Sequence, residues 1–152
     1  MGFRDELLAL LRRGDVESFN EVSRRRQEIL DLTGADLSGA RLEGADLRGV
    51  RLDEAVLARA RLAGANLEGA SLRFANLEGA DLEGANLARA NLYNAYLHGA
   101  RLEGASLLGA DVACAVFPAD VRADEIRAAV EMGIRIRHDP VVRLLGRLRP
   151  GP

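Results

Sequence analysis

Lysine is absent: all twenty-one basic residues of this 152-residue chain are Arg. GC-rich coding accounts for that more simply than a need for bidentate guanidinium contacts at every position. There is a single cysteine, Cys114, which excludes an intrachain disulfide or a Cys-based metal cluster. No run of residues approaches the ~18 apolar positions of a membrane span. The opening "MGFRDELLALLRRGD" carries acids and no long apolar stretch, unlike a signal peptide, and Glu6 stands where a myristoylation motif wants Ser or Thr. A dominant charge is also missing. Residues 1–30 hold six Arg against six acids, 31–117 eight against twelve, and 118–152 seven against five. Neither a polyanion nor a nucleic-acid-binding polycation is built this way. One domain of cytoplasmic type, with no membrane contact and no direct contact with nucleic acid, is the expectation.

What is abundant is Leu and Ala at a fixed spacing. Every fifth residue from Leu32 to Leu107 is Leu, and Val112 and Phe117 continue the series. Every fifth residue from Ala35 to Ala115 is Ala, with Val50 the exception. At about 100° per residue, a helix would scatter these Leu around its whole circumference. A flat strand would send successive Leu to opposite faces. Ala and Leu two residues apart do share a face in extended backbone, so the other three residues must turn the chain until the next pair points inward. Repeated turns of one hand make a solenoid, with Leu72, Leu77, Leu82 and Leu87 among its core.

Gly follows two residues after most of these Leu, as at 34, 39, 44, 49, 64, 69, 79, 84, 99, 104 and 109, and Asn94 shares that slot. It is the third position of a turn that needs positive φ. Glu54, Arg59, Phe74 and Arg89 occupy the same slot, and their corners are expected to use a different turn without positive φ.

The motif A-(D/N)-L-x-G, as in "ADLSG", "ADLRG", "ANLEG" and "ADLEG", resembles the pentapeptide repeat family across residues 31–117. The resemblance implies a β-solenoid, a right-handed quadrilateral β-helix of a little over four coils, each of twenty residues. At a spacing of about 4.8 Å per coil the rod is only about 20 Å long. Residues 1–30 are expected to be an N-terminal helical cap, with Gly14 stopping one helix and Asp15 capping a second that carries Val16, Phe19, Val22 and Ile29. Residues 118–152 are expected to be a C-terminal cap and tail. There "ADVRADEIRAAVEMG" reads as a helix burying Val121, Ile126, Val130 and Met132, "IRIRH" as a strand extending the last coil, and "PVVRLLGRL" as a short helix.

With four Leu and four Ala filling each coil, any site must lie outside, where residues twenty apart stack in columns. His98 is expected above Glu78, within hydrogen-bond reach, but no nucleophile completes a catalytic group. His138 has no second ligand for a metal. An enzyme, a cofactor and a metal are therefore not expected. Arg41, Arg61, Asp81 and Arg101 form a column in which Asp81 should link its two Arg neighbours. Asp53, Arg73 and Tyr93 form another, with an ion pair below and a cation–π contact above. Glu43, Glu83 and Glu103 make an acidic column. The most distinctive outer residues are apolar or aromatic: Val56, Phe74, Tyr93, Tyr96 and Val116, with His98 beside them. They constitute a candidate patch for an unknown protein partner.

The functional expectation is a non-enzymatic protein–protein interaction or scaffold module. The alternative comes from the resemblance, since some family members imitate duplex DNA and bind DNA gyrase, and some gyrase-binding relatives dimerise through their C-terminal helices. Eight Arg interleaved among the repeat-region acids weigh against mimicry here, because duplex DNA presents one charge per about 1.7 Å of axis.

Overall fold

The structure is a computed structural model and describes residues 2–136. Two short helices, α1 (Phe3–Arg13) and α2 (Val16–Arg25), precede the repeats, and α3 (Ala123–Met132) follows them. Between them the chain winds in four-sided coils of twenty residues. Parallel bridges join each residue of the Asp/Asn slot to the one twenty positions on, from Asp31↔Arg51 to Tyr96↔Val116. Among the described residues no bridge extends into a continuous strand. The reason is local: each side has room for an Ala-x-Leu stretch before the next turn bends it away, so each side contributes one rung.

Two sets of hydrogen bonds hold the coils. Within a turn, the Ala N–H returns to the Leu carbonyl three residues back, as from Ala40 to Leu37 at 3.1 Å. Between coils, each Leu N–H from Leu32 to Leu97 donates upward, as from Leu72 to the Asn91 carbonyl at 2.7 Å, and the turn-slot N–H groups below the last coil do likewise, as from Gly34 to Asp53 at 2.8 Å. The side chains turned inward are the predicted ones. Every Leu from Leu32 to Leu107 is at most 3% exposed, and the Ala slot from Ala35 to Ala110 at most 6%. Each such Leu contributes roughly 1.5–3 kcal/mol of transfer free energy.

The turn expectation for the non-Gly corners was incorrect. Glu54, Arg59, Phe74 and Arg89 have φ of 59°, 58°, 58° and 57°, and Asn94 and Cys114 match them at 54° and 57°. The inter-coil bonds decide this: the N–H groups of Glu54, Arg59, Phe74 and Arg89 reach carbonyls one coil up at 2.8–2.9 Å, like their Gly counterparts. A residue free of those bonds would leave the left-handed region, which costs an L side chain about 1–2 kcal/mol. Among the described residues the Glu54 side chain has no hydrogen bond or ion pair, so Glu54→Gly is expected to stabilise the protein. Against that relief stands the greater freedom of Gly in the unfolded chain, about 0.5–1 kcal/mol. The net gain should be about 0.5–1 kcal/mol by urea titration; a loss of that size would show the slot to be unstrained.

The coil's first turn exposes downward carbonyls, and the N-terminal segment supplies donors for them. Arg4 Nε bonds the Asp31 carbonyl (2.9 Å), Arg12 Nε that of Asp36 (3.2 Å), Ser23 Oγ that of Asp46 (3.1 Å), and Arg26 that of Arg48. Asn20 bonds both ways, Nδ2 to the Gly44 carbonyl and Oδ1 from the Asp46 N–H. Side chains thus stand in for part of the missing coil and blunt the edge against pairing with another chain. Gly14 ends α1 at φ 74°, and Asp15 caps α2 by accepting from the Ser18 N–H. Leu7, Leu11 and Phe19 press against the open end of the core, at most 1% exposed. Ile29 does not join them: α2 ends at Arg25, and Ile29 is 68% exposed.

At the other end α3 stops at Gly133, φ 66°. It buries Ala129, with Val121 and Val130 packed on the core, while Met132 is exposed, contrary to expectation. Residues 134–136 run along the last coil without forming a strand. Ile136 accepts from Gly104 N–H at 2.6 Å and donates to the Ala105 carbonyl. His138 and the expected "PVVRLLGRL" helix lie outside the described residues.

Candidate functional site

The Asp/Asn of the repeat sits at the start of each side, and its placement explains the motif. In the turn Leu-x-Gly-Ala, the N–H of x has no backbone partner, and the side-chain Oδ1 two residues earlier accepts it. Thus Asp36 accepts from Ser38, Asn66 from Glu68, Asn76 from Glu78, Asp81 from Glu83, Asn86 from Ala88 and Asn91 from Tyr93, at 3.0–3.1 Å. Where Ser71 breaks the pattern, Asp53 from the coil below accepts from the Arg73 N–H at 3.1 Å instead.

These bonds hold several carboxyls below the usual Asp range. Asp31 is lowered by its hydrogen bonds to Thr33, Asp36 by those to Ser38, and Asp46 by the Arg48 guanidinium, with burial opposing in each case. Asp15 is lowered by Arg13 and then by Ser18. A lowered folded pKa means that the unfolded chain takes up protons first as pH falls. The stabilisation is therefore complete above the unfolded value, near 3.9, and is lost as pH drops through it toward the lower folded values. The urea midpoint is expected to be flat between about pH 5 and 7 and to fall steadily below about pH 4. A midpoint unchanged down to about pH 2.5 would exclude this role for the turn carboxylates.

The outer columns are in the predicted register, but their charges pair differently. Of its two Arg neighbours Asp81 pairs with Arg101, at 3.4 Å, and not with Arg61, which reaches diagonally to Glu43, Nε to Oε1 at 2.6 Å. Arg101 also meets Glu83 at 2.6 Å, and Arg89 meets Glu68. Two of the three acids in the Glu43–Glu83–Glu103 column are therefore neutralised by Arg. Being surface pairs, each contributes about 0–1 kcal/mol. His98 forms no hydrogen bond with Glu78; its ring lies 6.1 Å from that of Tyr96, tilted by 33°. Among the described residues no His, Cys, Asp and Glu cluster could hold a metal ion. Nor is any helix among them long and apolar enough to cross a membrane.

One corner gathers the aromatic residues. Phe74, at the turn, meets Tyr93 of the next coil edge-to-face, centroids 5.7 Å apart and planes at 82°. The Arg73 guanidinium carbon lies 5.8 Å from the Phe74 centroid and 5.9 Å from that of Tyr93. The expected cation–π contact is thus present, and the expected Asp53–Arg73 ion pair is not, because Asp53 Oδ1 is taken by Ser71 Oγ and the Arg73 N–H. Around the corner, Val56, Tyr96 and Val116 share one column. Phe74 is 50%, Tyr96 41% and Val116 45% exposed, with Tyr93 and Val56 half-buried. Reading columns twenty apart missed the Phe74–Tyr93 contact. It lies nineteen apart, along the spacing of the turn-slot hydrogen bond from Phe74 N–H to the Tyr93 carbonyl.

Comparison with known proteins agrees with this geometry. The model for pentapeptide repeats matches residues 31–69 and 70–108, with eight copies. HetL, a pentapeptide repeat protein involved in heterocyst differentiation regulation from the cyanobacterium Nostoc sp. strain PCC 7120, is 43% identical over 59% of this chain, with a TM-score of 0.58. The match covers 41% of HetL, so the chain spans less than half of that protein. The pentapeptide repeat protein alr5209 of Nostoc PCC 7120 is 35% identical over 77% of this chain and 92% of its own, with a TM-score of 0.63. No curated protein matches the chain. The repeat model spans more than half of the sequence and alr5209 is matched over nearly its whole length, so the chain belongs to the pentapeptide repeat family, whose members are right-handed quadrilateral β-helices.

Proposed function

We propose that the chain is a non-enzymatic protein–protein interaction or scaffold module, and that the corner carrying Phe74, Tyr93, Tyr96, His98, Val56 and Val116 is where it meets its partner. One observation carries the reading: on a solenoid whose interior is filled by Leu and Ala, Phe74 and Tyr93 meet edge-to-face at one outer corner, and exposed Tyr96 and Val116 share a column on the side that follows it. Aromatic residues beside Arg are the side chains that anchor protein interfaces. The gyrase reading is weaker, because Glu43 and Glu83 are neutralised by Arg61 and Arg101 and a duplex mimic needs carboxylates free of cations. A homodimer through residues 118–149 is a separate proposal, testable by the mass of the protein in solution.

The test is affinity capture from a lysate of the source organism with wild-type protein and Tyr96→Asp as paired baits. A specific co-purifying protein retained by the wild type and lost with Tyr96→Asp is the expected result. Equal recovery by both baits, or background alone with the wild type, overturns the assignment of the corner.

A further inference from the structure

We propose that the Arg73–Phe74–Tyr93–Tyr96 corner docks a peptide segment in which a single carboxylate stands beside a large apolar side chain. The proposal rests on the interaction-module reading and assigns the chemistry of the partner.

The first ground is what occupies the turn slot. Most turns of the solenoid place Gly there, yet Phe74 adopts the same left-handed conformation with half of its side chain in water. Nothing in the coil requires a ring at that point, since the inter-coil bond it makes is the one Gly makes elsewhere. A strained backbone position bearing a large exposed side chain points to use of that side chain.

The second ground is the state of Arg73. Arg48, Arg51, Arg61, Arg89 and Arg101 of the repeats each meet a carboxylate. Arg41 lies beneath the N-terminal cap beside Gly14. Arg59 and Arg73 form no ion pair among the described residues, and Arg73 alone of these Arg, within those residues, has its guanidinium against two rings. A ring contact uses the face of a guanidinium and not its N–H groups, whose planar fork is matched to a carboxylate. The corner therefore offers a cation adjoining the apolar surface of Phe74 and Tyr93.

The third ground limits the charge of the partner. Asp53 and Glu54 lie one coil below Arg73 and Phe74, so an incoming acid is favoured only on the upper side, toward Tyr93 and Asn94. A polyacidic strand would meet repulsion from those two side chains, whereas one carboxylate beside an apolar residue would not.

The experiment is selection from a random-peptide phage library on the immobilised full-length protein, followed by fluorescence anisotropy with the enriched peptide. The enriched sequences should carry Asp or Glu next to Phe, Tyr, Leu or Ile. Converting that acid to its amide, or Arg73→Gln in the protein, should each weaken binding roughly tenfold, the worth of one charge-assisted hydrogen-bonded pair. Phe74→Gly should weaken it comparably while the fold is kept, since Gly is the ordinary occupant of that slot. Circular dichroism and the urea midpoint verify that. Enrichment of peptides without an acid, affinity indifferent to Arg73→Gln, or no enrichment beyond that on Phe74→Gly overturns the proposal. A partner captured in a Tyr96-dependent way but bound equally by Arg73→Gln would sink the carboxylate assignment and leave the interaction module standing.

Discussion

Leu72→Asp is expected to abolish cooperative unfolding. Leu72 is fully buried and stacks between Leu52 and Leu92, the equivalent residues one coil below and above. Removing its side chain forfeits about 2–5 kcal/mol in transfer and cavity terms. The carboxyl that replaces it meets no donor in a wall of Leu and Ala. It either stays ionised at a cost of several kcal/mol or takes up a proton with a strongly raised pKa. Together these rival the whole stability of a domain this size, about 5–15 kcal/mol. The site makes matters worse, because each coil of a solenoid is supported only by its neighbours and a failed middle coil uncouples the two ends. Far-UV circular dichroism against urea should show a shallow, early transition or none. Arg73→Asp, one residue on, removes contacts with two rings and adds an acid above Asp53, a change of about 1 kcal/mol. Equal tolerance of the two substitutions would mean that the inward and outward faces have been wrongly assigned.

Phe19→Ala should detach the N-terminal cap. Phe19 is fully buried on α2 and, with Leu7 and Leu11, closes the open end of the Leu stack. Truncating a buried Phe costs about 3–5 kcal/mol. Here the loss falls on two short helices whose other ties to the coil are exposed or half-buried hydrogen bonds from Arg4, Arg12, Asn20, Ser23 and Arg26. Once the helices lift, the lowest coil presents unpaired carbonyls and bare Leu, a template for self-association. The variant is expected to unfold at lower urea and to show concentration-dependent light scattering, whereas Ile29→Ala, at an exposed position, should stay within about 0.5 kcal/mol of wild type. A Phe19→Ala protein that remains monodisperse with an unchanged midpoint would remove α2 from the cap.

Much of the fold was legible because it is written in single-residue slots. Leu and Ala at intervals of five state which side chains go inward, Gly14 and Gly133 mark helix ends by left-handed conformations that few other residues accept, and Asp15 marks a helix start by its cap hydrogen bond. The candidate corner was legible as a departure from the slot rule. Its internal geometry was less so. Arg61, Arg89 and Arg101 find Glu43, Glu68 and Glu83 at separations of eighteen or twenty-one rather than twenty. A long guanidinium side chain can reach diagonally past its column, and column stacking alone does not register that reach.

By itself, then, the sequence determined the inward faces, the helical caps and the positions where outer residues break pattern, since each depends on the chemistry of one residue and its near neighbours. The tertiary structure alone decided the conformation of Glu54, Arg59, Phe74 and Arg89, the pairing of charges and the exposure of Phe74 and Tyr96. The reason is that hydrogen bonds between residues nineteen and twenty-one apart set those backbone angles and bring those side chains together. A turn slot that favours Gly in isolation accepts Phe when the coil above holds its N–H in place.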